Sequence, residues 1–259
     1  MLAELWTVVQ SDWQVLALSS AAVFLAAIVR GFSGFGFSLL SITAISLILP
    51  VAQIVPSIFL LEIAASINLI PGIWRHIHWR SLTWLMVGYV IGLPAGAYVL
   101  IHAPEAPAQI VLGILVIGTA ILMLRGFHLE RTPAAAASSA TGVASGVLNG
   151  AFGIGGPPVV LFYFSTPGAA AIGRASIIFF FLFTDLLGVG YFATQGIVTT
   201  QSFVQAALWL PALLVGVWIG AHGFRRMNEQ VFRRWVLVIL IALALLGIGK
   251  AALTSMGAA

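Results

Sequence analysis

The 259-residue sequence contains no cysteine and very few charged side chains. The absence of cysteine excludes disulfide bridges, thiolate catalysis and metal sites with sulfur ligands. Charged residues make up only 7% of the chain and hydrophobic residues 61%, whereas soluble domains carry about 25% charged residues. We therefore expect a polytopic membrane protein. The net charge of +4 is spread over several short loops, which is typical of a topology signal and not of a nucleic-acid partner.

Two long apolar runs are each interrupted by a glycine-rich stretch. The first run extends from Val15 to Pro50 and is broken at residues 30–37 (RGFSGFGF), and the second extends from Ala134 to Phe164 and is broken at residues 149–158 (NGAFGIGGPP). Within a membrane, unwound backbone is tolerated only where it is buried in protein or lines a cavity. Broken helices at corresponding positions of two halves point to the substrate site of a transporter.

The rest of the chain indicates an internal duplication. Three continuous apolar spans follow each break, at residues 53–72, 81–101 and 108–124 and at residues 174–194, 202–222 and 233–251. A shift of 119 residues places Gly31, Gly34 and Gly36 on Gly150, Gly153 and Gly155. We predict a first membrane repeat over residues 1–125, a cytoplasmic linker over residues 126–139 and a second membrane repeat over residues 140–259.

The arginine distribution predicts that the two repeats are inverted. Loop 75–80 contains Arg75 and Arg80, and its counterpart 195–202 contains no charge, whereas loop 102–107 lacks arginine and its counterpart 223–234 contains four. Under the positive-inside rule, corresponding loops then lie on opposite sides of the membrane. We expect an all-α protein in the cell inner (cytoplasmic) membrane. Each repeat would be a glycine-broken helical hairpin, with arms of about 11–17 residues, plus three transmembrane helices.

The tips of the two hairpins are the predicted binding site. A helix that restarts after a break presents free backbone N–H groups and its dipole to an anion. An arginine at this depth costs at least ~2.5 kcal/mol and usually has a function. The candidate substrate-binding residues are Arg30, Ser33, Gly34, Gly36, Asn149, Gly153, Gly155 and Gly156. The alternative is that the glycines serve packing and that Arg30 snorkels or pairs structurally with Glu62.

Two carboxylates lie near the middle of predicted spans. In the aligned repeats Glu62 corresponds to Phe181 and Asp185 corresponds to Ser66, so the two acidic residues are one helical turn apart. Intramembrane carboxylates commonly belong to ion or proton pathways. Glu62 and Asp185 are therefore the candidates for coupling transport to a proton or cation, with a structural ion pair as the alternative.

The remaining motifs do not indicate an enzyme. The glycines of the first break do not have the GxGxxG spacing of a nucleotide loop and lack its βαβ context. His76 and His78 have no nearby carboxylate or cysteine, and no Ser/His/Asp set is evident. We expect no cofactor, no metal and no catalytic residues. The expected partners are a small anionic substrate and membrane lipid, and a homo-oligomer is left open.

The chain has two distinctive breaks, FSGFGF and NGAFGIGGPP, and a ladder Gly92-Leu93-Pro94-Ala95-Gly96 that is repeated at Gly216 and Gly220. In these features it resembles the sulfite exporter TauE/SafE family. The resemblance covers nearly the whole chain. It implies a secondary transporter of small anions, commonly sulfite, sulfonates or related organosulfur and carboxylate compounds. The chain departs from the family pattern at Phe35 and Phe37, and the resemblance assigns no role to Arg30.

Two other functions remain open at this point. A cation carrier would bind its substrate with Glu62 and Asp185, and Arg30 would only balance their charge. An intramembrane enzyme would act on a lipid or a lipid-linked substrate.

Overall fold

The computed structural model describes residues 13–67, 70–124, 134–165, 170–223 and 229–257. Within these ranges every regular element is helical, and the prediction of an all-α membrane protein is confirmed. The helices are α1 (Trp13–Ser33), α2 (Phe37–Ile45), α3 (Val51–Ile67), α4 (Ile70–Ile73), α5 (Trp79–His102), α6 (Glu105–Leu124), α7 (Ala135–Phe152), α8 (Gly156–Ser165), α9 (Ala170–Thr194), α10 (Thr200–Gly223) and α11 (Glu229–Gly257), with a 3-10 turn at Trp74–His76.

Several helices have the length and composition of membrane spans. Trp13–Phe32, Trp79–His102, Ile172–Thr194 and Thr200–His222 contain 20 to 24 residues each, which is enough to cross a hydrocarbon core of about 30 Å. The apolar segments Val51–Ile67, Pro107–Leu122 and Leu237–Leu253 are shorter. Large hydrophobic side chains such as Leu18, Ile91 and Leu246 are exposed on the outer surface, as expected for a surface that faces lipid.

The two glycine breaks are present, but the arms on either side are unequal. The chain leaves helical geometry at residues 34–36 and 153–155, where Gly34, Gly36 and Gly153 have φ values of 81°, 91° and 68°. The first arms contain 21 and 18 residues and the second arms 9 and 10, so the expected 11–17 residues per arm is wrong. The first helix continues through Gly31, where the first bend was expected to begin, whereas the second bend starts at Gly153, as expected.

Gly31 and its counterpart Gly150 lie at helix contacts, where the missing side chain allows the backbone of another helix to approach closely. A Cβ atom on Gly31 would lie 2.3 Å from the backbone oxygen of Val217 on α10, and one on Gly150 would lie 2.5 Å from that of Leu93 on α5. The ladder glycines behave in the same way, since a Cβ on Gly92 would lie 2.3 Å from the backbone oxygen of Val143. Close helix packing through small residues explains this pattern.

The two halves of the chain interlock. Helix α5 of the first half packs along α7 of the second, and α10 of the second half packs along α1 of the first. The last helices of the halves, α6 and α11, also pack against each other. Each of these contacts of a helix in one half is matched by the contact of its counterpart in the other half, as a duplication predicts. The inverted orientation of the two halves stays a prediction. Residues 126–133 of the expected linker lie outside the described residues, and α7 already begins at Ala135.

The two helices that carry the intramembrane carboxylates, α3 and α9, meet at the centre of the protein. Phe59 of α3 stacks on Phe192 of α9 with ring centroids 5.6 Å apart. A Cβ on Gly188 would lie 2.5 Å from the Phe59 ring, so glycine at this position lets the two helices approach. The carboxylates are thereby brought to the region where the two breaks also lie.

Candidate substrate site between the two helix breaks

A small cavity lies between the two breaks and the centres of α3 and α9. Its volume of about 30 Å³ is room for about two water molecules. The walls combine residues of both breaks with residues of the two central helices. Six of the residues predicted from the sequence line it: Gly36, Asn149, Gly155, Gly156, Glu62 and Asp185. Residues more than a hundred positions apart in sequence are therefore brought together as predicted.

The other predicted residues lie away from the cavity or outside the described side chains. A Cβ on Gly34 would lie 3.0 Å from the Nε of Arg174, and one on Gly153 would lie 2.5 Å from Ile42, so both glycines face neighbouring side chains. The side chain of Ser33 lies outside the described residues. Arg30 is not among the described residues that line the cavity. A substrate contact by any of these four stays a prediction.

Arg30 is buried beside the cavity and paired with Glu62. Its side chain is 1% exposed, and its Nη1 forms an ion pair with the Oε2 of Glu62, which is itself 2% exposed. Arg30 Nη2 also donates a hydrogen bond of 2.7 Å to the Oγ of Ser66. The guanidinium carbon lies 5.8 Å from the ring centroid of Phe181, within cation–π range. The ion pair left open by the sequence is thus present.

Glu62 also binds the first turn of α2, immediately after the first break. Its Oε1 accepts hydrogen bonds from the backbone N–H of Ser38, at 3.2 Å, and from the Ser38 hydroxyl, at 2.6 Å. An anion was expected at this helix N-terminus because of the free N–H groups and the dipole. The anion found there is the chain's own carboxylate, supplied by α3.

The second break is stabilised by the side-chain amide of Asn149, whose nitrogen and oxygen each form a hydrogen bond. The Nδ2 of Asn149 donates to the Tyr89 hydroxyl at 2.8 Å, and its Oδ1 accepts from the backbone N–H of Gly155 at 3.0 Å. The hydroxyl of Ser145 donates to the Gly155 carbonyl at 2.6 Å. Helix α8 then starts with Gly156 and two prolines, which lack N–H groups. Its N-terminus therefore offers fewer donors to an anion than the sequence pattern suggested.

Asp185 is the carboxyl group of the site that forms no ion pair among the described residues. It is 3% exposed, it lines the cavity, and its Oδ2 has no hydrogen-bond partner among the described residues. The neighbouring Thr184 carbonyl accepts a hydrogen bond of 2.9 Å from Tyr89. Buried charges in proteins are normally paired, and Arg30 is already paired with Glu62. A single guanidinium thus serves two carboxyl groups, which suits a site that binds a proton or another cation.

Three polar residues of the site were not predicted. Ser38 could have been found as the second residue of the helix that follows the first break, where a side chain or N–H group meets a bound anion. Ser66 could have been found because it occupies the position that Asp185 has in the other repeat. Nothing in the sequence distinguishes Tyr89, whose hydroxyl joins Asn149 to the Thr184 carbonyl.

Comparison with known proteins agrees with the resemblance seen in the glycine breaks. The family model described as Sulfite exporter TauE/SafE matches residues 19–246. A relative from Cupriavidus necator, described as a probable sulfite/organosulfonate exporter TauE, is 26% identical over 225 residues. That alignment covers 83% of this chain and 85% of the relative. No solved structure matches the chain.

Proposed function

Because this chain belongs to the sulfite exporter TauE/SafE family, whose members are transporters and not enzymes, we propose that it is a secondary transporter of small anions. The substrate is a sulfur-containing or organic anion, namely sulfite, a sulfonate or a related carboxylate. The membrane is the cell inner (cytoplasmic) membrane, and transport is coupled to a proton or other ion gradient. Membership of this family argues against the intramembrane enzyme.

The observation that carries this proposal is the cavity between the two breaks. Broken helices that meet near the middle of a transporter form its substrate site, and here both breaks contribute to one set of walls. The N-terminus of α2 and Arg30 supply the positive electrostatic potential that an anion requires. The cavity has room for about two water molecules, so we expect the two tips to separate when a sulfonate binds.

Coupling to a proton follows from the charges around the cavity. Glu62 and Asp185 both line it, and two ionised carboxylates in a buried site repel an incoming anion strongly. Protonation of one carboxyl group removes part of that repulsion. An anion and a proton therefore bind more readily together than the anion alone, and this supports movement of both in the same direction.

A cation carrier remains the second candidate, because one observation favours it. Both carboxyl groups line the cavity, while Arg30 is not among its described lining residues. A cation could then be held by Glu62 and Asp185 directly. The comparisons weigh against this candidate, since the family and the Cupriavidus necator relative are both described as exporters of anions.

Counterflow in proteoliposomes separates these candidates. Purified protein is reconstituted with unlabelled substrate inside, and the entry of labelled sulfite or ethanesulfonate is followed, with protein-free liposomes as the control. We expect accumulation of the unchanged anion, and competition by methanesulfonate and short carboxylates. Accumulation of a labelled monovalent cation, with no counterflow of any of these anions, would establish the cation carrier instead.

A further inference from the structure

We propose that the carboxylate of Glu62 occupies the position at which the anionic group of the substrate binds. The substrate would displace Glu62 from the first turn of α2 and from Arg30, and would take over the same partners. This inference rests on the proposed function and specifies it further. It names the subsite, its ligand chemistry as a sulfonate-like oxyanion, and an internal competitor of the substrate.

The contacts of Glu62 are those that an oxyanion seeks. One oxygen accepts from the N–H and the hydroxyl of Ser38, and the other pairs with Arg30. A helix N-terminus together with a guanidinium forms a strong binding site for carboxylates and sulfur oxyanions, because each hydrogen bond is charge-assisted. The site is therefore assembled and already holds an anion, which is covalently attached to the protein.

The position of Glu62 relative to the cavity makes displacement necessary. Glu62 lines the cavity, whereas Arg30 is in contact with Glu62 and is not among the described lining residues. An anion in the cavity thus reaches the guanidinium only if Glu62 moves. Arg30 also has unused capacity, because its buried Nε has no hydrogen-bond partner among the described residues. A sulfonate, with three oxygens, can use more of these donors than a carboxylate.

The second repeat shows that this anion site exists only once. The positions equivalent to Arg30, Ser38 and Glu62 are occupied by Asn149, Pro157 and Phe181. The second tip accordingly has neither a cation nor a carboxylate at these places, and Pro157 removes the N–H group that would correspond to that of Ser38. The duplication has been retained in the backbone, while the anion-binding chemistry is confined to the first half.

The displaced carboxylate has a partner available in the same cavity. Among the described residues, the charged or titratable groups around Glu62 are Arg30 on α1 and Asp185 on α9, while α2, α7 and α8 contribute neutral groups. Two carboxyl groups in contact are stabilised when one of them carries a proton, since this removes the repulsion between two like charges. A protonated Asp185 can therefore donate a hydrogen bond to Glu62 once the substrate has taken its place.

The test is a binding comparison with methanesulfonate, whose single negative charge does not change over the pH range of protein work. Calorimetry on the full chain in detergent gives the dissociation constant for the wild type, Glu62→Gln, Asp185→Asn and the double variant Arg30→Gln/Glu62→Gln. Apparent affinity falls in proportion to the fraction of sites left free. If Glu62 fills the site at least ~90% of the time, Glu62→Gln should bind at least ~tenfold more tightly than the wild type.

The other two variants identify the cause of that gain. The double variant should lose it, because the substrate would no longer find a guanidinium. Asp185→Asn removes a carboxylate from the same cavity without freeing Arg30 or Ser38, and should give a smaller gain. Equal gains in Glu62→Gln and Asp185→Asn would mean general relief of repulsion and would overturn the inference. So would a Glu62→Gln variant that binds no more tightly than the wild type.

Two further outcomes are also informative. Failure of every protein, wild type included, to bind any sulfonate or sulfite would remove the proposed function and this inference with it. Glu62→Gln could fail to fold because Arg30 loses its buried carboxylate. In that case the variant is extracted with methanesulfonate or with its neutral analogue dimethyl sulfone. Recovery of folded protein by the anion alone supports the inference, and recovery by neither overturns it.

Discussion

Replacement of Arg30 by alanine should destabilise the protein, and neutralisation of Glu62 in the same chain should reverse most of the loss. Arg30 and Glu62 are 1% and 2% exposed and form a direct ion pair. Removal of one partner of such a pair leaves the other charge buried and uncompensated, at a cost of about 3–5 kcal/mol. Replacement of both partners by neutral residues is often nearly neutral.

The destabilisation caused by Arg30→Ala is increased by the loss of the other contacts of the guanidinium. Arg30→Ala also removes the hydrogen bond to Ser66 and leaves space beside Phe181, so the upper part of that range applies. Arg30→Gln/Glu62→Gln removes both charges and leaves less empty space than Arg30→Ala does. We therefore expect the stability of the double variant to lie much closer to that of the wild type than the stability of Arg30→Ala does. A simple sum of the losses caused by the two single substitutions would place it lower.

Thermal unfolding in detergent, followed by the fraction of protein that elutes as a monodisperse peak after heating, measures this effect. Arg174→Ala is the matched control. This arginine is exposed, and it has no acidic partner among the described residues, so its removal should change stability by less than ~1 kcal/mol. An Arg30→Ala variant that resists heat as well as the wild type but no longer binds sulfonates would refute the structural role. Arg30 would then be a substrate ligand alone.

Three further outcomes are expected. Gly92→Ala should reduce the yield of folded protein, because a Cβ there would lie 2.3 Å from a backbone oxygen of α7, whereas Gly190→Ala, which has open space around it, should be tolerated in the same expression test. Asp185→Asn should abolish gradient-driven accumulation and leave counterflow exchange, since it keeps the shape of the side chain but cannot gain or lose a coupling proton. Unchanged pH-driven uptake would exclude Asp185 from coupling. Single cysteines placed at Arg131 and Gln195 in this naturally cysteine-free chain should label from the cytoplasmic and the external side respectively, and labelling from one side only would contradict the inverted repeat.

The fold class, and the convergence of the breaks and the carboxylates, followed from the sequence because membranes make polar and helix-breaking residues costly. Glycine clusters and isolated carboxylates within long apolar runs therefore point to helix breaks and functional charges. The helix boundaries at the breaks could not be obtained in this way. Gly31 and Gly34 look alike in sequence, but one contacts a distant helix and the other adopts a positive φ. Only the packing of α10 against α1 distinguishes these two uses of glycine.

The sequence indicated which residues could gather at the breaks, but not which atoms of these residues contact one another. The sequence placed Arg30 and Glu62 at similar depth, but the rotation of α1 about its own axis decides whether the guanidinium faces α3 or the cavity. Hydrophobic periodicity does not fix that rotation here, because these helices are apolar on nearly all sides. Ser38 was missed for a related reason. A serine in a membrane helix has no distinctive sequence pattern. Its role as a hydrogen-bond donor to Glu62 is visible only in the structure.

The interlocking of the two halves has a consequence for biosynthesis. Helix α1 is synthesised well before α10, yet the surface formed by Gly31 and its neighbours packs against α10. Until α10 is inserted, α1 remains in the bilayer without the helix against which it is shaped, and α5 likewise waits for α7. The first half can therefore be inserted early but reaches its final packing only after most of the second half has been made. Expressed alone, it should be inserted in the membrane and then be removed by quality-control proteases.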